Sequence, residues 1–147
     1  VAVATFANKV VVYNIGDSSA YGLTKDNEMN IVTTEDSFVG ALIDAGAITH
    51  EEAKTHPERH VLTQALATKN NINLHTFIDE LSNYDYFLLC SDGLTNMIEN
   101  EEIQDIVRNN ELSTSVEKLI KLCVIRGGID NISVAIIKNL GGVNHDK

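Results

Sequence analysis

The sequence predicts a single α+β domain, and three observations carry that expectation. Apolar residues alternate along the first fifteen positions, as in half-buried strands. Stripes of apolar residues at helical spacing, each with capping signals, occupy the middle and the last third. The continuous apolar run Tyr86–Cys90 is too short for a buried helix and reads as a strand covered on both faces. With 147 residues, 44% of them apolar and 22% charged, the chain is long enough for one core and too short for two ordinary domains. No internal repeat or linker divides it.

Val1–Phe6 and Val10–Ile15 are predicted strands joined by the turn Ala7-Asn8-Lys9. A third strand at Ala20–Leu23 follows Gly16-Asp17-Ser18-Ser19, and the polar stretch Lys25–Asn30 reads as another turn. Ser37 is placed to cap a helix whose apolar positions are Phe38, Val39, Leu42 and Ile43, with Gly46 as its stop. Thr49 and Glu52 then form a capping box, with Ile48 as its staple, and Pro57 ends this short helix at His56. After the Tyr86–Cys90 strand, Asp92-Gly93 turns the chain outward. Asn100 is expected to cap a helix carrying Glu101 and Glu102 in its first turn and the stripe Ile103, Ile106 and Val107. A second capping box, Thr114 with Glu117, opens the stripe Val116, Leu119, Ile120 and Cys123, and Arg126-Gly127-Gly128 closes it. Ile132, Val134 and Ile136 share one face of a last strand. Helices in this pattern must cover sheet faces.

Charge and cysteine usage narrow the function. The formal net charge of −10 repels phosphate backbones and anionic membranes, so nucleic acid is excluded as a partner, whereas divalent cations are favoured. No apolar stretch approaches the roughly 20 residues of a membrane helix. Cys90 and Cys123 match no zinc spacing and are expected to be reduced core residues, as in a cytoplasmic protein. His50-Glu51-Glu52-Ala53-Lys54 lacks the second histidine of a zinc-protease helix. Asp79 and Glu80 are expected on a solvated face, and Tyr84-Asp85-Tyr86 as a turn entering the buried strand.

Three carboxylates share an unusual setting. Asp17 follows Gly16 at a strand end, Asp92 precedes Gly93 at the end of the buried strand, and Asp130 follows Gly127-Gly128 just before a strand. Taken singly, each is an ordinary turn aspartate. Brought together, they would repel strongly unless hard cations sat between them, and oxygen-only donors point to Mg²⁺ or Mn²⁺.

Their neighbours form a pattern. Asn14-Ile15-Gly16-Asp17-Ser18-Ser19-Ala20-Tyr21 resembles the Asn-x-Gly-Asp-Ser-Arg-Ala-Tyr segment of type 2C metal-dependent protein serine/threonine phosphatases, bacterial branch. Ser37-Phe38-Val39, Ile48-Thr49 with Glu51-Glu52-Ala53, and His56-Pro57-x-Arg59 resemble that family's flap. Leu88–Leu94 is similar to its Ser-Asp-Gly motif, and Gly127–Val134 to its Gly-Gly-x-Asp-Asn-Ile-Thr motif. The four segments fall in the family's order across nearly the whole chain.

The resemblance implies part of a four-layer α-β-β-α sandwich with antiparallel sheets, and a flap-like region at about 33–62 within one partial domain, 1–147. It implies hydrolysis of phosphoserine and phosphothreonine monoesters by a metal-activated water, with two catalytic Mn²⁺ or Mg²⁺ ions and a possible third. By resemblance, Asp92 and Asp130 are catalytic ligands of the first ion, Asp17 belongs to the third, which Asp92 helps to hold, and Asn131 orients Asp130. Phosphorylated serine/threonine proteins and a cognate kinase are the implied partners. Several positions depart from the family: Ser19 stands for arginine, Glu35-Asp36 for Asp-His, His60 for asparagine and Ala67-Thr68 for Leu-Gly. They read as variation around the flap and substrate surface. The family's N-terminal half, with its Arg-x-x-Asn-Glu-Asp and Asp-Gly-Met-Gly-Gly segments, has no counterpart here. Val1 opens directly into a strand without a methionine, so upstream sequence is expected. The alternative reading is a non-catalytic, phosphatase-like binding or regulatory module.

Overall fold

The computed structural model describes residues 1–66 and 72–141. They form two antiparallel sheets. The first has the order β1-β2-β5, from Ala2–Phe6, Lys9–Asn14 and His75–Glu80. The second has the order β4-β3-β6-β7, from Met29–Ile31, Ser19–Thr24, Tyr84–Cys90 and Val134–Lys138. Helices α1 (Phe38–Asp44) and α2 (His50–Lys54) lie in the β4–β5 connection, and α3 (Asp92–Thr95), α4 (Asn100–Arg108) and α5 (Leu112–Ile125) lie between β6 and β7.

The β6 run is apolar on both faces because it separates two cores. Leu88 and Cys90 turn towards the helices, where they meet Tyr21 and Leu23 of β3, Leu94, Ile98, Ile103, Val107, Leu119 and Cys123. Phe87 and Leu89 turn the other way and meet Val10, Val12, Ala20, Val32 and Tyr84 between the sheets. Gly22 is required at the crossing: a Cβ there would lie 2.4 Å from the Tyr84 ring. Helices therefore cover the outer face of the second sheet. The outer face of the first stays open, with Phe6 82%, Ile78 63% and Tyr13 39% exposed.

Several expectations meet the structure directly. Ser37 caps α1 by accepting from the Gly40 amide at 2.9 Å, and Gly46 follows with φ +67°. Both halves of the Thr49–Glu52 capping box form, at 2.8 and 3.2 Å. Five readings need correction. The Lys25–Asn30 turn overlaps β4, a three-residue edge strand. Asp92-Gly93 does not simply turn but starts α3. Tyr84–Tyr86 already belongs to β6. Glu99, not Asn100, occupies the cap position of α4. Thr114 and Glu117 lie inside α5, which begins at Leu112. That helix starts early because its first turn packs on α4: Ser115 is fully buried and its hydroxyl donates to the Ile106 carbonyl at 3.1 Å.

Candidate metal centre

Asp92 sits where a strand gives way to a helix, and Asp17 and Asp130 sit in connections between regular elements. Asp17 is half-buried in the β2–β3 turn beside Gly16, whose φ of +93° is the left-handed backbone that glycine adopts without cost. Asp92 is the first residue of α3, directly beyond the buried end of β6, and Asp130 is exposed in the loop between α5 and β7.

The Asp92 and Asp130 loops are bolted together. The Ser91 amide donates to the Ser133 carbonyl at 3.1 Å, and the Ser91 hydroxyl donates to the Asn131 carbonyl at 3.1 Å. The Ser133 amide returns a bond to the Ser91 hydroxyl at 3.0 Å. Gly93 allows this approach, since a Cβ there would lie 2.4 Å from the Asn131 carbonyl oxygen. Asn131 meets Asp130 through its backbone, its N–H donating to Asp130 Oδ1 at 2.7 Å. Asn96 donates to Asp92 Oδ2 at 3.3 Å.

The electrostatics tie all three carboxylates to one region. Burial raises the Asp92 carboxyl above its ordinary value, and repulsion from Asp17 and Asp130 adds to the rise. The Gly93 amide and His60, an exposed residue of the flap-like segment, pull weakly the other way. Among the described residues, no three His, Cys, Asp or Glu side chains converge closely enough to grip one ion by themselves. The three aspartates are thus neighbours in field rather than a closed chelate. A carboxylate whose ionised form is disfavoured by burial and by like charges nearby is one that a hard divalent cation would relieve.

A fourth carboxylate, Asp36, escaped the sequence reading as a site residue. It is only 7% exposed. Gly16, Gln64 and His75 all converge on it, so the Glu35-Asp36 departure is not surface variation. No local signal pointed to it, because its partners lie 20, 28 and 39 residues away. Asp79 also proves structured, accepting from the Tyr84 hydroxyl at 2.7 Å and the Asn83 amide at 3.2 Å, although Glu80 beside it is exposed. The Ala67-Thr68 departure lies outside the described residues.

Bacterial phosphatases are similar to this chain in sequence and in fold. The chain is 39% identical over 135 residues to protein phosphatase PhpP of Streptococcus pneumoniae, covering 91% of this chain and 54% of that protein. It is 37% identical over 139 residues to a putative protein phosphatase 2C-type of Streptococcus pyogenes, covering 94% and 56%. Among solved structures it superposes on serine/threonine phosphatase Stp1 from Staphylococcus aureus with a TM-score of 0.86 at 34% identity, covering 95% of this chain and 55% of that one. The catalytic domain of PstP, solved in complex with two manganese ions, gives a TM-score of 0.75 at 33% identity, covering 91% and 55%. No protein-family model matches the chain. The fold is thus that of the type 2C phosphatases. The chain belongs to the bacterial branch of the type 2C serine/threonine phosphatases, and it spans about half the length of the curated relatives it matches.

Proposed function

We propose that residues 1–147 form a single partial phosphatase domain, the C-terminal half of a protein serine/threonine phosphatase with a flap-like region at 33–62. The whole protein hydrolyses phosphoserine and phosphothreonine monoesters. The observation that supports this reading is the hydrogen-bonded junction of the Asp92 and Asp130 loops through Ser91, Asn131 and Ser133, with Asp17 near enough for its charge to act on Asp92. The family's two-manganese structure supports the choice of Mn²⁺ or Mg²⁺.

In this reading Asp92 and Asp130 hold the first catalytic ion, Asp17 holds a third and weaker one with help from Asp92, and Asn131 orients Asp130. Such an ion supplies Lewis acidity, lowering the pKa of a water towards neutrality. The chain's own contribution is placement. The Ser91–Asn131–Ser133 bonds fix the spacing of two carboxylates, and the Gly16 turn sets the angle of the third. A metal ligand loosened by about 1 Å loses much of its use, and these bonds and this turn restrain Asp130 and Asp17, which lie in connections between regular elements.

The substrates are phosphorylated serine/threonine proteins in the cytoplasm, and the counterpart enzyme is a serine/threonine kinase. Among the described residues no helix is long and apolar enough to cross a membrane. The test is Asp92→Asn in the intact protein that carries this segment. Mn²⁺-stimulated hydrolysis of para-nitrophenyl phosphate is expected to fall at least about a hundredfold, the scale of removing a main element of charge stabilisation. Unchanged turnover would remove the assignment and favour a binding module.

A further inference from the structure

We propose that Asp36 is a positioning residue that clamps the flap-like segment to the turn bearing Asp17, making the two one mechanical unit. The proposal rests on the phosphatase reading above, and it concerns a residue outside the three carboxylates.

The clamp has three sides. Towards the turn, the buried Gly16 amide donates to Asp36 Oδ2 at 2.8 Å, and the Asp36 amide donates back to the Gly16 carbonyl at 3.0 Å. Both bonds land on the residue directly before Asp17. Towards the far end of the flap-like segment, the Thr63 amide donates to the Asp36 carbonyl at 2.8 Å, and the Phe38 amide donates to Val61 at 2.8 Å. Ser37 and Leu62 form an antiparallel bridge between them. The segment is thereby closed at its base, with Asp36 in the closure. Towards the first sheet, His75 Nε2 at the start of β5 lies 2.8 Å from Asp36 Oδ1. Gln64 Nε2 donates to Asp36 Oδ2 at 2.8 Å and to the Asn73 carbonyl at 2.7 Å, and the Asn73 amide returns a bond to Gln64 Oε1 at 3.0 Å.

The Asp36 carboxylate therefore holds the turn, the Gln64 side chain and a sheet edge, while its backbone takes part in closing the flap base. Burial alone would raise its pKa, yet the Gly16, Gln64 and His75 contacts hold it below the usual carboxylate range. That balance marks a charge the surroundings are built to keep. Gly16 in the left-handed region has no strand ladder to fix its angle, so the Asp36 bonds set the direction in which Asp17 leaves the turn.

The experiment compares Asp36→Ala with Asp36→Asn in the intact protein. Alanine removes every side-chain bond. Asparagine can keep its carbonyl oxygen towards Gly16 and Gln64 and turn its amide towards Nε2 of a neutral His75. Amide exchange at Gly16 and Asp17 is expected to accelerate about tenfold in Asp36→Ala, the equivalent of about one buried hydrogen bond, while β6 amides keep their rates. The Mn²⁺ concentration for half-maximal binding, read by calorimetry, is expected to rise severalfold. Asp36→Asn is expected to recover both to within about threefold of the parent.

Unchanged exchange at Gly16 in Asp36→Ala would overturn the proposal. So would a uniform acceleration of all amides that asparagine fails to rescue, which would mark mere loss of stability. A parent protein that neither binds Mn²⁺ nor hydrolyses phosphate esters would remove the phosphatase reading, and the exchange rates at Gly16 and Asp17 would still decide the clamp.

Discussion

Replacing Gly93 by alanine tests the mechanical link between the loops that carry Asp92 and Asp130. The added Cβ would lie 2.4 Å from the Asn131 carbonyl oxygen and 3.1 Å from its carbon. Both are backbone atoms, so no side chain can swing away. The Asn131 carbonyl must retreat by at least roughly 0.6 Å, and overpacking of this kind costs about 1–3 kcal/mol. The same carbonyl accepts the Ser91 hydroxyl, whose loss adds about 0.5–1.5 kcal/mol. Against this, alanine is favoured over glycine inside α3 by about 1 kcal/mol. The clash wins. Gly93→Ala is expected to destabilise by about 1–3 kcal/mol, lowering Tm by a few degrees. Urea unfolding gives the first number, and titration with Mn²⁺ is expected to show weaker binding because Asp92 and Asp130 no longer keep their spacing. A variant as stable as the parent would mean that helix propensity outweighs the contact and that the loops are not locked at this point.

Acid should weaken the fold through Asp36. Its carboxyl is held low in the folded state, so its contribution is present above the ordinary carboxylate pKa and is lost as pH falls through the lowered folded value. Thermal unfolding followed below about pH 4 should show this loss, and Asp36→Asn should flatten that part of the profile. The thiols should be silent. Cys90 is pushed up to about 12, first by burial and then by the Asp92 charge, and burial also raises Cys123. Ellman's reagent is expected to label neither in the folded protein at pH 8 and both in urea, whereas rapid labelling of the folded chain would contradict the packing. Ala7 sits at φ +51° in the β1–β2 turn, so Ala7→Gly is expected to stabilise by about 0.5–1 kcal/mol in urea unfolding.

The starts of α1 and α2, and the apolar stripes of α4 and α5, were readable because capping and periodicity are local. Ser37, Thr49 and Glu52 act on amides within one turn of themselves, and their bonds form as expected. Local rules also misled. Thr114 and Glu117 carry the right spacing for a cap, yet the buried contact of Ser115 with α4 draws the start of α5 back to Leu112. Strand β5 escaped notice because it is an edge strand with one open face, so His75-Thr76-Phe77-Ile78-Asp79-Glu80 mixes polar and apolar residues on both sides. Asp17, Asp92 and Asp130 could be singled out as candidates through their glycine neighbours. Asp36 could not, because its partners Gly16, Gln64 and His75 lie 20, 28 and 39 residues away and nothing local announces them.

The one-sided helical layer divides the molecule into parts of unequal endurance. Most of the helix-side core comes from one unbroken stretch, β6 through β7, with β3 added from upstream. The first sheet instead joins β1 and β2 to β5 across some sixty residues, and its outer face meets water at Phe6, Tyr13 and Ile78. Contacts close in sequence form early and open last, whereas a half-covered sheet frays first. A protease added to residues 1–147 produced on their own should therefore strip residues 1–14 and leave a resistant remnant centred on residues 84–138. The carboxylates of Asp92 and Asp130 would stay on that remnant, and the turn that carries Asp17 would sit at its frayed margin.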